Sequence, residues 1–179
     1  MKLVRLVSLF LVFSLTACAS TMKKPTTSPP TTQKVVKEII CQYASSAAAS
    51  SENPAGSLAV YAVGKPDAPT GGECGKWSGY GFSWTPSNWN VKANLLLVYG
   101  KPLYITNVTI IGDYDMCWSS VKLINNSTGE EKKILNSISK ECVLKIHLDE
   151  PFKADRILLE SCGWSWSATD AVEICGFTN

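Results

Sequence analysis

Residues 93–111 read ANLLLVYGKPLYITNVTII, and this stretch decides the fold class. Ala93–Tyr99 is a short apolar run and Gly100-Lys101-Pro102 is a turn signal. Leu103–Ile111 is rich in the β-branched and aromatic residues that suit a pleated, half-buried strand. The pattern continues down the chain. Ser119–Asn125 alternates, with Val121 and Leu123 on one face. Asn125-Asn126-Ser127-Thr128-Gly129 reads as a hairpin loop into Glu131–Leu135. Val143–Leu148 puts Leu144, Ile146 and Leu148 on one face and Lys145 and His147 on the other. Arg156–Ser161 and Ala171–Phe177 complete the set. Helical periodicity is nearly absent, with only Ala44–Ala49 open between a short helical turn and a loop. Residues 38–179 are therefore predicted to be one all-β domain, a sandwich or barrel.

The start of the chain points to export. Lys2 and Arg5 precede an apolar run, Leu6–Leu15, that is interrupted only by serines. A membrane helix takes roughly 20 apolar residues, so a cleaved signal at residues 1–17 fits better. The run ends in Leu15-Thr16-Ala17-Cys18, which resembles the lipobox of bacterial lipoproteins. That resemblance implies cleavage before Cys18 and acylation of its thiol, giving a membrane partner through a lipid anchor. Ala19 and Ser20 lack the aspartate that, by the same resemblance, retains lipoproteins at the inner membrane. The expected place is thus the cell envelope, at the outer membrane or cell surface. Residues 18–37 are rich in Thr, Ser, Pro and Lys and carry little to bury, so they read as a tether. The net charge of the chain is +2, and part of it lies in the signal and tether. With no basic stripe, nucleic acid is not an expected partner.

Setting Cys18 aside leaves Cys41, Cys74, Cys117, Cys142, Cys162 and Cys175, an even set that reads as three disulfides in an oxidising compartment. Six cysteines allow 15 pairings. Following strand direction, Leu103–Ile111 arrives at one end, and the later turns at GDYDMCW, NSISKEC and CGWSWSATD fall at that same end. Sequential pairing is then preferred: Cys117 with Cys142, Cys162 with Cys175 across one hairpin, and by elimination Cys41 with Cys74. Zinc is disfavoured, because no CxxC occurs and His147 is the only histidine.

Four segments in order, CQYASSAAASSE, SLAVYAVGKPDAP, ANLLLVYGKPLYITNVTIIGDY and TDAVEICG, resemble landmarks of the discoidin (coagulation-factor type C) group. The resemblance covers Cys41 to Gly176 and implies a galactose-binding-like jelly-roll β-sandwich, here stabilised by disulfides. It also implies a binding module for glycans, lipids or proteins, often with a structural calcium. The cysteine number and the Trp-rich late loop depart from the group.

Trp77, Trp84, Trp89, Trp118, Trp164 and Trp166 fall in or beside segments placed at the same end, with Tyr80, Asp113, Tyr114, Asp115 and Asp170. Aromatic faces beside carboxylates and amides suit a sugar, whose C–H face stacks while its hydroxyls are fixed by polar groups. Ligand contact is expected from Trp77, Trp118, Trp164, Trp166, Asp113, Asp115 and Asp170, with Trp89 structural and Trp84 undecided. Trp164 and Trp166 share a face in extended chain, with Ser165 and Ser167 opposite. For Ca²⁺, the loop from Gly64 offers carbonyls, the Asp67 carboxylate and the Thr70 hydroxyl; by resemblance the Ala171 carbonyl and Glu173 complete the shell. Catalysis is not expected: His147 lies on a polar strand face and no hydrolase or phosphate-binding motif occurs. The leading expectation is a non-catalytic module that recognises carbohydrate. The alternative is an envelope protein–protein interaction component using the same aromatic end.

Overall fold

The run beginning at Asn94 does not stop at the Gly-Lys-Pro signal. In the computed structural model, which describes residues 37–179, it continues as one 19-residue strand. The signal, the Cys18 anchor and all but residue 37 of the tether lie outside the described residues. The described residues fall within one compact unit. The strands are β1 (Ile40–Tyr43), β2 (Ser46–Ala49), β3 (Asn94–Gly112), β4 (Trp118–Ile124), β5 (Glu131–Leu135), β6 (Val143–Ser161) and β7 (Thr169–Phe177). The only helical element among the described residues is a 3-10 turn, Ala59–Ala62.

All pairings are antiparallel, in the order β1-β7-β3-β6-β4-β5 with β2 on β3. The long strands β3 and β6 each serve two layers. Leu103–Gly112 of β3 lies between β7 and the first part of β6. Asn94–Val98 lies between β2 and the last part of β6, which in turn carries β4 and β5. Register slips between Val98 and Leu103 and between Ile105 and Asn107 mark the bend from one layer to the other. The inward set Leu95, Leu97, Leu103, Ile105, Ile110, Leu123, Ile157, Leu159 and Ile174 is fully buried between the layers. This is the expected all-β jelly-roll sandwich, held by three disulfides.

Both ends of β3 lie at one pole, because Asn94 pairs opposite Glu160 and Gly112 opposite Thr169. Segments 50–93, 113–117, 136–142 and 162–168 therefore gather there. β1 begins at the other pole, with Ile40 opposite Gly176.

Two expectations are corrected. Ala44–Ala49 contains a strand, not a helical turn or loop: Ser46–Ala49 hydrogen-bonds along β3, and the tertiary ladder overrides alanine's helical preference. The disulfides are Cys41–Cys175, Cys74–Cys142 and Cys117–Cys162, not the sequential set. Sequence neighbours are not ladder neighbours here. Trp118 pairs opposite Ser161, which brings Cys162 N–H to 3.0 Å from the Cys117 carbonyl. Cys175 faces Cys41 across the β1–β7 ladder, which leaves Cys74 for Cys142.

Candidate functional site

The loop pole is tied by main-chain hydrogen bonds between segments distant in sequence. Asp113 N–H donates to the Ala168 carbonyl at 3.1 Å and Ala168 N–H to the Asp115 carbonyl at 3.0 Å, so residues 113–115 and 165–168 run side by side. Gly75 N–H reaches the Tyr114 carbonyl at 2.9 Å. Asn53 N–H donates to the Thr85 carbonyl at 3.0 Å, and Thr85 N–H to the Ser57 carbonyl at 3.2 Å.

These ties surround a cavity of about 330 Å³ with two kinds of lining. Asn53, Ser57 and Thr85, joined to one another by main-chain hydrogen bonds, line one part of it, while Trp77, Tyr80, Tyr114 and Trp166 supply aromatic surface. Trp77 and Tyr80 meet edge to face at 4.8 Å between ring centroids, which fixes both rings. Tyr80 is backed by Gly56, where a Cβ would stand 3.2 Å from the Tyr80 Cβ. Gly56 also has φ +119°, a conformation that L side chains rarely adopt. Trp77 and Tyr80 are each about half exposed, at 48% and 52%. Large rings left that open at a cavity mouth are poised to stack.

The predicted ligand residues divide into four groups. Trp77 and Trp166 line the cavity. Trp164 does not; it is exposed on the same loop, with Lys140 Nζ 4.3 Å from its ring centroid. The expected alternation does hold, since Ser165 and Ser167 are buried while the two indoles are not. Ser167 Oγ donates to the Cys117 carbonyl at 2.7 Å, which turns the loop's serines inward. Trp118, Asp113 and Asp170 are corrected to structural positions. Trp118 is fully buried and stacks on buried Trp84, their centroids 6.0 Å apart, as a lid on the core. Asp113 is fully buried and accepts hydrogen bonds from the Thr70 hydroxyl at 3.0 Å, Ser78 N–H at 3.2 Å and the Ser83 hydroxyl at 3.3 Å. It fastens the 70–83 segment to the end of β3 instead of facing ligand. Asp115 is half-buried and contributes its carbonyl to the loop ties. Trp89, expected to be structural, is 52% exposed. His147 is exposed on β6, its Nδ1 2.9 Å from Asn107 Oδ1.

The metal expectation changes membership. The Thr70 hydroxyl is committed to Asp113 and Ser78. Glu173 lies beside Tyr43 and the Cys41–Cys175 bridge, where it raises the Tyr43 pKa, secondary to burial of that phenol. Ala171 sits in the ladder opposite Ile111. Asp67 is exposed, but its N–H reaches Asp170 Oδ1 at 3.2 Å. The unexpected member is Asp170. It is buried, its Oδ2 has no hydrogen-bond partner, and a Cβ built on Gly71 would stand 2.7 Å from that oxygen and 3.1 Å from the Ala68 carbonyl. A carboxylate oxygen and a carbonyl, oxygen types that a hard cation takes, thus lie beside a space that glycine leaves open, two of the six to eight ligands Ca²⁺ needs.

Burial, with repulsion from Asp67 and Asp113, raises the Asp170 pKa to about 6 despite main-chain N–H groups of Asp67 and Ala68 directed at it. Because the folded value exceeds the ordinary 3.8, the protonated form favours the fold. That contribution is complete below about pH 4 and is lost as pH rises through about 6. A shift of about two units corresponds to about 3 kcal/mol. We expect Asp170→Asn to remove this descending slope and to be the more stable protein at pH 7 in chelator. Urea unfolding of both proteins from about pH 4 to 7 checks it; parallel profiles would refute the assignment.

No protein-family model matches the chain, and no curated relative matches it in sequence. Solved structures do match in shape. A family 32 CBM from C. perfringens NanJ, in complex with galactose, superposes with a TM-score of 0.55 at 17% identity, covering 76% of this chain and 99% of that one. The chitosan-binding module 1 of a chitosanase/glucanase from Paenibacillus sp. IK-5 gives 0.51 at 11% identity, covering 73% and 92%. A mutant of the lectin binding domain of Lectinolysin, complexed with Lewis b, gives 0.50 at 17% identity, covering 74% and 92%. The chain therefore has the galactose-binding-like jelly-roll fold.

Asn53, Ser57 and Thr85 were not legible as site residues. Asn53-Pro54-Ala55-Gly56 carries a turn signal, but nothing local shows that the polar residues around it reach Thr85.

Proposed function

We propose that this chain is a non-catalytic carbohydrate-recognition lipoprotein, held at the bacterial cell envelope through acylated Cys18 with its jelly roll projecting on the tether. One observation carries the binding half: a concave cavity of about 330 Å³ in which exposed indole and phenol rings stand beside the polar residues Asn53, Ser57 and Thr85. A pyranose has matching surfaces, an apolar C–H face and a rim of hydroxyls. A flat apolar patch would instead have favoured the protein–protein reading. The three matched structures are supporting neighbours, described as bound to galactose, chitosan-binding, and bound to Lewis b. Non-catalysis is supported by the site chemistry, because Asp113 is tied into the loop scaffold and the cavity lining has no carboxylate. Anchoring rests on the lipobox-like LTAC at residues 15–18.

We include a calcium ion at Asp170 and the Ala68 carbonyl in this proposal. Bound there, the cation would neutralise the buried carboxylate and brace the 67–71 turn. Calcium should raise the melting temperature at pH 7 in the wild type and leave Asp170→Asn unchanged.

The test is a glycan-array and calorimetric screen of residues 36–179, with and without calcium. Trp77→Ala and Trp166→Ala should each weaken sugar binding by about 5- to 100-fold, since stacking on an aromatic side chain carries on the order of 1–3 kcal/mol. Melting temperature should barely move, both rings being partly exposed. A blank array, or unchanged binding in both variants, would overturn the reading.

A further inference from the structure

At the pole opposite the cavity, four side chains form one row across the β1-β7-β3-β6 layer. Tyr104 pairs opposite both Phe177 and Lys153, and the Tyr104 and Phe177 rings stack with centroids 5.6 Å apart. A lysine lies over each ring: Lys37 Nζ is 3.9 Å from the Phe177 centroid and Lys153 Nζ is 5.8 Å from that of Tyr104. Leu103, Ile105 and Ala154 are buried, so the period of two leaves Tyr104 and Lys153 on the outer face of the layer. Ile39, beside Lys37 in sequence, is 55% exposed. Neither Lys37 nor Lys153 is in an ion pair among the described residues. The acids of this pole are engaged elsewhere, except Glu38. Asp155 accepts from Asn126 N–H at 2.9 Å and Glu130 from the Thr128 hydroxyl at 3.1 Å, both at the β4–β5 hairpin. Asp149 and Glu150 line a separate groove with Lys132 and Lys133. The second observation is where the chain joins the domain. Upstream of Lys37, residues 19–36 lead back to Cys18 and carry three more cations, Lys23, Lys24 and Lys34.

We infer that this row is a docking surface for the bilayer that holds the acyl anchor, its rings and Ile39 at headgroup depth and Lys37 and Lys153 meeting the phosphates of anionic lipids. The inference rests on the lipid-anchor reading above and extends it from a tether to an oriented contact. Aromatic rings and long lysines suit a membrane surface, because the apolar body sits at the boundary while the ammonium stays in water. The anchor holds the surface at high local concentration, so a small patch is enough. The cavity lies at the other pole, and docking leaves it open.

The test places the acylated full chain on phosphatidylcholine vesicles and on vesicles that also contain phosphatidylglycerol. Acetylation rates of individual lysines are read by mass spectrometry. On the anionic vesicles Lys37 and Lys153 should react about fivefold more slowly than on phosphatidylcholine alone. Lys140, which lies over Trp164 at the cavity pole, should react equally on both. Lys37→Glu should return Lys153 to its phosphatidylcholine rate, and Lys37→Arg should keep it slow. Equal rates for Lys37 and Lys153 on the two vesicle types overturn the docking surface, while a chain that floats with the vesicles keeps the anchor. Slowing of Lys140 to the same degree as Lys153 also overturns it, because the cavity pole would then face the lipid. A chain that stays in solution overturns both readings.

Discussion

Trp118→Ala destabilises the domain by about 3–5 kcal/mol, the range for emptying a core aromatic site. The side chain is fully buried, stacks nearly parallel to Trp84, and sits where β4 meets the end of β6. Removing it opens a void beneath the loop pole and leaves Trp84 without its partner ring. Trp84 cannot easily follow, because its indole N–H donates to the Ser51 carbonyl at 3.1 Å and its main chain is bonded to Thr169. Any loss of sugar binding in this variant should therefore track the unfolded fraction. Urea denaturation followed by near-UV circular dichroism measures both. A variant that melts like wild type yet fails to bind would return Trp118 to the ligand contacts.

Replacing Cys41 and Cys175 together with alanine is expected to cost about 5 kcal/mol in the chain-entropy treatment, because the bridge closes residues 134 apart. It is the longest of the three loops; Cys74–Cys142 and Cys117–Cys162 span 68 and 45. β1 is only four residues long and has a single neighbour, β7, so little else holds it in place. Hydrogen exchange should show β1 losing protection first. Stability within about 1 kcal/mol of wild type would mean that the unbridged chain already keeps its two ends together.

How far the sequence carried the fold depended on the kind of signal. The alternation of Val143–Leu148 was readable because Leu144 and Leu148 face the interior while Lys145 and His147 face water, a period of two that survives any topology. The same rule separated Trp164 and Trp166 from Ser165 and Ser167. It did not separate Trp118 from Trp77. Both are tryptophans near a loop, and only the β4–β6 ladder drives one of them inside. Cysteine pairing failed for a related reason. Chain order placed Cys117 with Cys142, whereas hydrogen bonding placed it with Cys162, and pairing across layers is a non-local property. Asp170 was singled out for its charge and its place beside the loops. Its burial and its unpaired oxygen appear only when the 67–71 turn closes over it.

The Cys41–Cys175 bridge also sets the route by which mechanical load crosses the molecule. A pull on the chain ahead of Ile40 would otherwise peel β1 away one hydrogen bond at a time, as a zipper opens. The covalent link hands the tension to β7, which is flanked by β1 and β3 and begins at Thr169, next to the cavity residue Ala168. Force applied between the chain ahead of Ile40 and the loop pole then runs along one strand whose bonds to both neighbours are loaded in shear together.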